Sequence, residues 1–255
     1  MRYFIRLRYN GAPFCGWQRQ PNGPSVQQTL EEALSTVLRV PTPVVGAGRT
    51  DAGVHAHCMW AHFDSEAPVD PVRLARGLDR LCGRDIAIAE VRTVRPDAHA
   101  RFDASRRTYK YVVAHHDSPF LRGRAWNIGT SLDLGAMNEA ARLLLQTSDF
   151  TSFAKLHSDA RTNICRVDEA VWRPTDLFWL QADDTSVFTI SADRFLRNMV
   201  RAVVGTLVEV GRGKLSLRGF AEVIERKDRC AAGMSVPAEG LYLWNVEYPQ
   251  EIFLT

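Results

Sequence analysis

The sequence lacks long hydrophobic runs and closely spaced cysteine pairs. No apolar stretch approaches the roughly 20 residues that a membrane-spanning helix needs, so we expect no membrane association. The cysteines are scattered and form no C-x-x-C pair, so we expect free thiols in a reducing cytoplasm rather than a disulfide framework. They are Cys15, Cys58, Cys82, Cys165 and Cys230.

Lysine is scarce, because 28 of the 32 basic residues are arginine. Arginine suits the forked binding of phosphate and the stacking on bases, but a GC-rich genome gives the same bias. The net charge of +3 is too small to decide whether the partner is a nucleic acid. The first residues, MRYFIRLRYN, alternate in polarity and carry charge, unlike a signal peptide, so we expect a cytoplasmic protein.

Periodicity and turn residues predict an α+β fold. Residues 3–9 alternate as a strand, and Ser25 is placed to cap a following helix. The other predicted strands cover 43–47, 54–63, 85–94, 108–116, 165–173, 186–192 and 241–248. Another predicted helix begins near residues 70–71, and the remaining ones cover 133–145, 194–210 and 216–227. Their similar order predicts two α/β halves, residues 1–105 and 106–255, around a central cleft.

Arg49 and Asp51 lie between glycines in the stretch GRTDAGVHA, residues 48–56. One interpretation is a turn in which Gly53 adopts a positive φ. The other is a carboxylate presented on a loop, where a nearby guanidinium favours its charged form and it acts as nucleophile or base. Glycoside hydrolysis ordinarily uses two carboxylates, and no second acid stands nearby in the sequence, which disfavours a hydrolase.

Three further stretches carry residues suited to chemistry. His55, His57 and Cys58 would suit zinc, but Cys58 should face away from the two histidines, so we expect no metal site. Tyr109 in RRTYKY is either a half-buried strand residue or a platform for a base. Arg201, four residues after Arg197 on the predicted helix, lies on a face that is either solvated or binds phosphate or carboxylate.

GRTDAGVHA resembles the catalytic motif of the TruA family of tRNA pseudouridine synthases. Further stretches of this sequence are similar to other blocks of that family. They occur in the same order as in the family, and the resemblance covers nearly the whole chain. These stretches are YNGAPFCGWQRQPNGPSVQQTLEEAL, RTYKY, DFTSF, FLRNMVRAVVGTLVEVGRGK and VPAEGLYLWNVEY.

The resemblance implies a reaction and roles for particular residues. Uridine at positions 38, 39 and 40 of the anticodon stem-loop would be isomerised to pseudouridine without cofactor or metal. Asp51 matches the essential aspartate, which attacks directly or removes a sugar proton to give a glycal. Arg49 would fill the space left by the flipped base, and Tyr109 would stack on that base. Arg201 would pair with Asp51, and Leu241 would line the pocket.

The family resemblance also implies a pseudouridine synthase fold, in which two antiparallel sheets join, and a cytoplasmic homodimer that binds tRNA. One departure is the pair His57-Cys58, where many relatives carry Gly-Gln; it leaves the motif whole. A non-catalytic RNA-binding module stays as an alternative, since basic and aromatic residues serve it equally. A hydrolase of N-glycosidic bonds is a third, distinguished by the release of free uracil.

Overall fold

The structure, a computed structural model, describes residues 1–156, 161–175 and 184–254, and these form an α+β protein, as the sequence predicts. The helices in the described ranges are α1 (Val26–Leu38), α2 (Pro71–Leu81), α3 (Leu134–Leu144), α4 (Met199–Gly211) and α5 (Leu217–Arg226). The strands are β1 (Arg2–Tyr9), β2 (Val45–Gly46), β3 (His55–Asp64), β4 (Ile86–Val94), β5 (Arg106–Ala114), β6 (Trp126–Asn127), β7 (Val167–Pro174), β8 (Thr185–Ala192) and β9 (Leu241–Glu247).

The chain divides into two compact units. The first unit comprises Met1–Arg106 and Tyr242–Thr255, and the second comprises Arg107–Leu241. The sequence groups residues 106–255 as one half, whereas the last segment packs with the first unit in the structure. The cleft expected between the halves stays a prediction.

In the first unit, β1 lies between β3 and β4 and is antiparallel to both, while β9 runs parallel to β3. β1 is buried along much of its length because both neighbours cover its edges. α1 begins where Ser25 Oγ accepts a hydrogen bond from the backbone N–H of Gln28, as the sequence predicts. α2 begins with Asp70 as its cap and Pro71 in its first turn.

In the second unit, β8 lies between β5 and β7 and is antiparallel to both. α4 is apolar and buried on nearly all sides, which is typical of a helix in the centre of a layer. Gly205 allows this close packing, because a Cβ there would lie 1.9 Å from the carbonyl oxygen of Met234. The backbone of residues 233–236 therefore packs directly on α4.

The helix predicted from residue 194 begins five residues later, at Met199. Asn198 has a φ of 67°, in the left-handed region that a helix cannot continue through. The carboxylate of Asp193 accepts hydrogen bonds from the backbone N–H groups of Arg166 and Arg194, which holds the preceding chain in a loop. The prediction that Arg197 and Arg201 share a helix flank is therefore wrong, and α4 is not a basic helix.

His62 on β3 supports the turn that leaves the first unit toward β5. Its Nδ1 accepts a hydrogen bond from the backbone N–H of Ala100 at 3.1 Å, and its ring lies 4.6 Å from that of His99. Burial lowers the pKa of His62 from 6.5 to about 4, and the nearby charge of Arg2 adds to this. The imidazole is therefore neutral at pH 7, as an acceptor at Nδ1 requires.

We expect the fold to lose stability in acid through His62. Since the folded-state pKa of about 4 lies below the ordinary value of 6.5, the unfolded chain binds the proton more readily between these values. The free energy of unfolding should fall as the pH drops through that window. Urea unfolding at about pH 7.5 and about pH 5 measures this.

The variant His62→Asn retains an acceptor but does not titrate, so its loss of stability over this pH interval should be smaller than in the wild type. The matched variant His116→Asn changes an exposed histidine and should keep the wild-type dependence. Equal pH dependence in all three proteins would contradict the assignment to His62.

Candidate active site

The loop at residues 48–54 presents two charged side chains on either side of a buried one. Arg49 is exposed, Thr50 is 8% exposed and Asp51 is half-buried. The loop ends in a tight turn in which the N–H of Val54 donates to the carbonyl of Asp51 at 3.2 Å, and Gly53 has a φ of 79°. The turn interpretation is therefore confirmed, and the presentation of the Asp51 carboxylate for chemistry stays a prediction.

The chain around residue 16 holds the Thr50 end of this loop. The backbone N–H of Trp17 donates to the carbonyl oxygen of Thr50 at 3.2 Å. Gly16 has a φ of 94°, and a Cβ there would lie 2.4 Å from the same carbonyl oxygen. The buried ring of Trp17 packs on Gly46, where a Cβ would lie 2.5 Å from the ring. Only glycine at position 16 allows this approach.

The side chain of Thr50 is held from β1. The hydroxyl oxygens of Tyr9 and Thr50 lie 2.9 Å apart in a buried hydrogen bond. Tyr9 is the last residue of β1 and is 5% exposed. Its ring also packs near Trp17, with ring centroids 6.4 Å apart.

The other end of the loop is anchored at Gly53 and His55. The N–H of Gly53 donates to the carbonyl of Phe14 at 3.4 Å, and the N–H of Gly11 donates to Nδ1 of the buried His55 at 3.1 Å. A Cβ at Gly11 would lie 2.0 Å from the carbonyl oxygen of Val54. Asp51 therefore sits on a loop that is fixed both before and after it.

In the second unit, Tyr109 is half-buried on β5, and its ring contacts that of Phe195 edge to face, with centroids 5.0 Å apart. Tyr111, two residues further along β5, is fully buried and donates its hydroxyl hydrogen to the carbonyl of Pro237 at 2.8 Å. Burial raises the pKa of the Tyr111 phenol far above its ordinary value. Tyr111 is thus a neutral structural residue, whereas Tyr109 is only half-buried.

Arg201 lies in the first turn of α4 and is half-buried. Its Nε donates to the carbonyl of Val236 at 2.6 Å, and its own carbonyl accepts from the N–H of Val236 at 3.3 Å. The first bond restricts the guanidinium, and the second ties the backbone of Val236 to α4. Leu241, at the start of β9, is 6% exposed. Neither the pairing of Arg201 with Asp51 nor the role of Leu241 is tested, and both stay predictions.

His55, His57 and Cys58 are not arranged as metal ligands. The exposed His57 stacks on Trp244 with centroids 4.2 Å apart, and His55 stacks on Tyr242 at 4.7 Å. Burial raises the pKa of the Cys58 thiol, which disfavours the thiolate that binds metal. Within residues 1–156, 161–175 and 184–254, no group of three His, Cys, Asp or Glu side chains could hold a metal ion.

Reasoning from the sequence missed the residues that support the site. Thr50 stands between two charged residues and reads as part of a polar turn, although it is the buried anchor of the loop. Tyr9 could have been suspected, because it belongs to the apolar face of β1 yet ends in a hydroxyl that needs a partner when buried. For Phe195 and Val236, the sequence gives no comparable signal.

The chain is similar to proteins of known family over its whole length. A family model described as tRNA pseudouridine synthase matches residues 140–249. The tRNA pseudouridine synthase A of Bacteroides thetaiotaomicron is 57% identical over 253 residues, covering 99% of this chain and 92% of the relative. That of Parabacteroides distasonis is 56% identical, covering 99% and 98%, and that of Maricaulis maris is 40% identical, covering 97% and 98%.

The chain belongs to the tRNA pseudouridine synthase A family. The resemblance drawn from GRTDAGVHA and the later blocks is therefore confirmed. The individual roles carried over from this synthase family to Asp51, Arg49, Tyr109, Arg201 and Leu241 are not tested by it. No helix within the described ranges is long and apolar enough to cross a bilayer.

We expect the contact at Gly16 to be necessary for the loop of this synthase. In Gly16→Ala, the new Cβ meets the carbonyl of Thr50 and the backbone keeps an unfavourable φ, so the free energy of unfolding should fall by more than about 2 kcal/mol. Gly83→Ala is the matched control, because Gly83 has a φ of 79° and no atom within 4 Å of its added Cβ.

Gly83→Ala should therefore lose only the cost of the positive φ, about 1 kcal/mol. Denaturant unfolding gives both values, and hydrogen exchange at the Trp17 amide reports the loop itself. If Gly16→Ala and Gly83→Ala lost equal stability and the Trp17 amide stayed protected, the close packing would not constrain the loop.

Proposed function

We propose that this protein isomerises uridine to pseudouridine at positions 38, 39 and 40 of the tRNA anticodon stem-loop, with Asp51 as the catalytic carboxylate. Membership of the tRNA pseudouridine synthase A family supports the isomerisation of uridine in tRNA. The observation that carries the residue assignment is the loop of Asp51, fixed at Thr50 and at Gly53 with its carboxylate half-exposed between them.

The chemistry requires one carboxylate that can reach the ribose. The N1–C1′ bond breaks, the uracil turns, and a C5–C1′ bond forms while the proton on C5 is released. Asp51 would either form a covalent bond with the nucleotide or remove a sugar proton to give a glycal. In both routes a fixed loop helps, because the rate depends steeply on the placement of the reacting group.

The target uridine must leave its stack before Asp51 can reach it. The exposed Arg49 is two residues from Asp51 on the same loop, where its planar guanidinium would occupy the vacated space. Tyr109 would stack on the extruded base, and Phe195 supports this role by contacting the Tyr109 ring edge to face.

Arg201 would hold the Asp51 carboxylate in its ionised form and orient it. The hydrogen bond from Nε to the carbonyl of Val236 supports this role, since it restricts the orientation of the guanidinium. Leu241 would contribute an apolar wall to the pocket. We further propose that the enzyme is a cytoplasmic homodimer and needs neither metal nor cofactor, because the reaction involves no redox change and no net hydrolysis.

An unmodified tRNA transcript with uridines at positions 38, 39 and 40 tests the proposal. After incubation with the purified protein and no added cofactor, carbodiimide labelling and primer extension map pseudouridine. We expect stops at these positions. The variant Asp51→Asn should bind the transcript as the wild type does and give no product, because the amide is neither a nucleophile nor a base at pH 7.

The control variant Asp97→Asn makes the same chemical change at an exposed carboxylate, and it should retain activity. Product formed by Asp51→Asn would overturn the assignment of Asp51. Tight binding without product in the wild type would favour the RNA-binding module, and free uracil would indicate a hydrolase of N-glycosidic bonds.

A further inference from the structure

We propose that Tyr9 is a positioning residue for catalysis, acting on Asp51 through its hydrogen bond with Thr50. The proposal rests on the proposed function, because it requires Asp51 to be the reacting carboxylate. It assigns a kinetic role to a buried tyrosine that lies outside the GRTDAGVHA stretch.

The first step is the placement of the bond. The hydroxyls of Tyr9 and Thr50 lie 2.9 Å apart, and both residues are more than nine-tenths buried. Thr50 is joined to Asp51 by one peptide bond, so a rotation of Thr50 moves the Asp51 carboxylate directly. The backbone bond from Trp17 fixes the Thr50 carbonyl, and the Tyr9 hydroxyl fixes the side chain of the same residue.

The second step is the stiffness of the group that holds Thr50. Tyr9 is the last residue of β1 and pairs with Ala56, just after an irregularity in which Arg8 alone faces the pair His57-Cys58. The extra residue lies on β3, so β1 itself stays regular on that side. Tyr9 thus directs its hydroxyl to Thr50 from a strand that is hydrogen-bonded on both edges.

The third step separates positioning from simple stabilisation. Tyr3 lies on the same face of β1, is 1% exposed, and its hydroxyl accepts a hydrogen bond from the N–H of Val69 at 3.1 Å. Tyr3 and Tyr9 are therefore two buried tyrosines with bonded hydroxyls on one strand, and the Tyr9 hydroxyl bonds to Thr50 in the loop of Asp51, whereas the Tyr3 hydroxyl bonds to Val69. Tyr3 provides the matched control.

The experiment measures single-turnover release of tritium from a tRNA transcript labelled at uridine C5, together with filter binding of the same transcript and thermal unfolding. Tyr9→Phe should lower the single-turnover rate by roughly 10- to 100-fold, because the carboxylate loses its fixed placement. Its Kd for tRNA should stay within about twofold of the wild type, since no group that contacts RNA is removed. Tyr3→Phe should lower the melting temperature about as much as Tyr9→Phe does, and it should retain the wild-type single-turnover rate.

Thr50 tests the same bond from the other side. Thr50→Val removes the hydroxyl and should slow the reaction as Tyr9→Phe does, while Thr50→Ser retains the hydroxyl and should be faster than Thr50→Val. The double variant Tyr9→Phe/Thr50→Val should be no slower than either single variant, because both remove one interaction.

A wild-type rate in Tyr9→Phe overturns the inference, as does an equal loss of rate in Tyr3→Phe and Tyr9→Phe. A rate that is unchanged at saturation with a weaker Kd also overturns it, since Tyr9 would then act on binding. If the wild-type protein releases no tritium, the proposed function itself is overturned. The failure of the proposed function is therefore distinguishable from the failure of the inference about Tyr9.

Discussion

The loop of Arg49 and Asp51 depends on the close approach of two backbone segments, residues 11–17 and 48–55. Gly11 and Gly16 make the approach possible, because a side chain at either would occupy the space of a carbonyl oxygen. With the two backbones in contact, the N–H groups of residues 11, 17 and 53 find acceptors across the contact. The loop is therefore held on both sides of Asp51 by hydrogen bonds that involve the backbone of the two segments.

The sheet of the first unit fixes the position of these two segments. β1 and β3 flank the two segments and are paired over most of their length, so neither segment can move without disturbing the sheet. The irregularity opposite Arg8 falls on His57 and Cys58. The pair at which we expect a departure from the family pattern therefore lies in the strand that follows the loop and beside the pairing of Tyr9, not in the loop itself.

The sequence predicted the helices and strands well where the pattern is local. Ser25, Asp70 and Ser216 each cap a helix through an oxygen that accepts from the first turn, as their residue types indicate. The start of α4 was wrong because apolar periodicity continues backward through residues 194–198, whereas the left-handed Asn198 breaks the helix. A backbone conformation of this kind leaves no trace in the hydrophobic pattern.

The sequence indicates candidate residues for the site only where a side chain has suggestive chemistry. Charged and aromatic side chains such as Asp51 and Tyr109 are noticeable because their chemistry suits the reaction. Thr50 and Tyr9, by contrast, are connected by a hydrogen bond between residues 41 positions apart in the sequence. Tertiary contacts of that separation cannot be read from spacing. The supporting residues bear directly on the proposed role of Asp51, because a single catalytic carboxylate would depend for its rate on its placement, and the neighbouring residues set that placement.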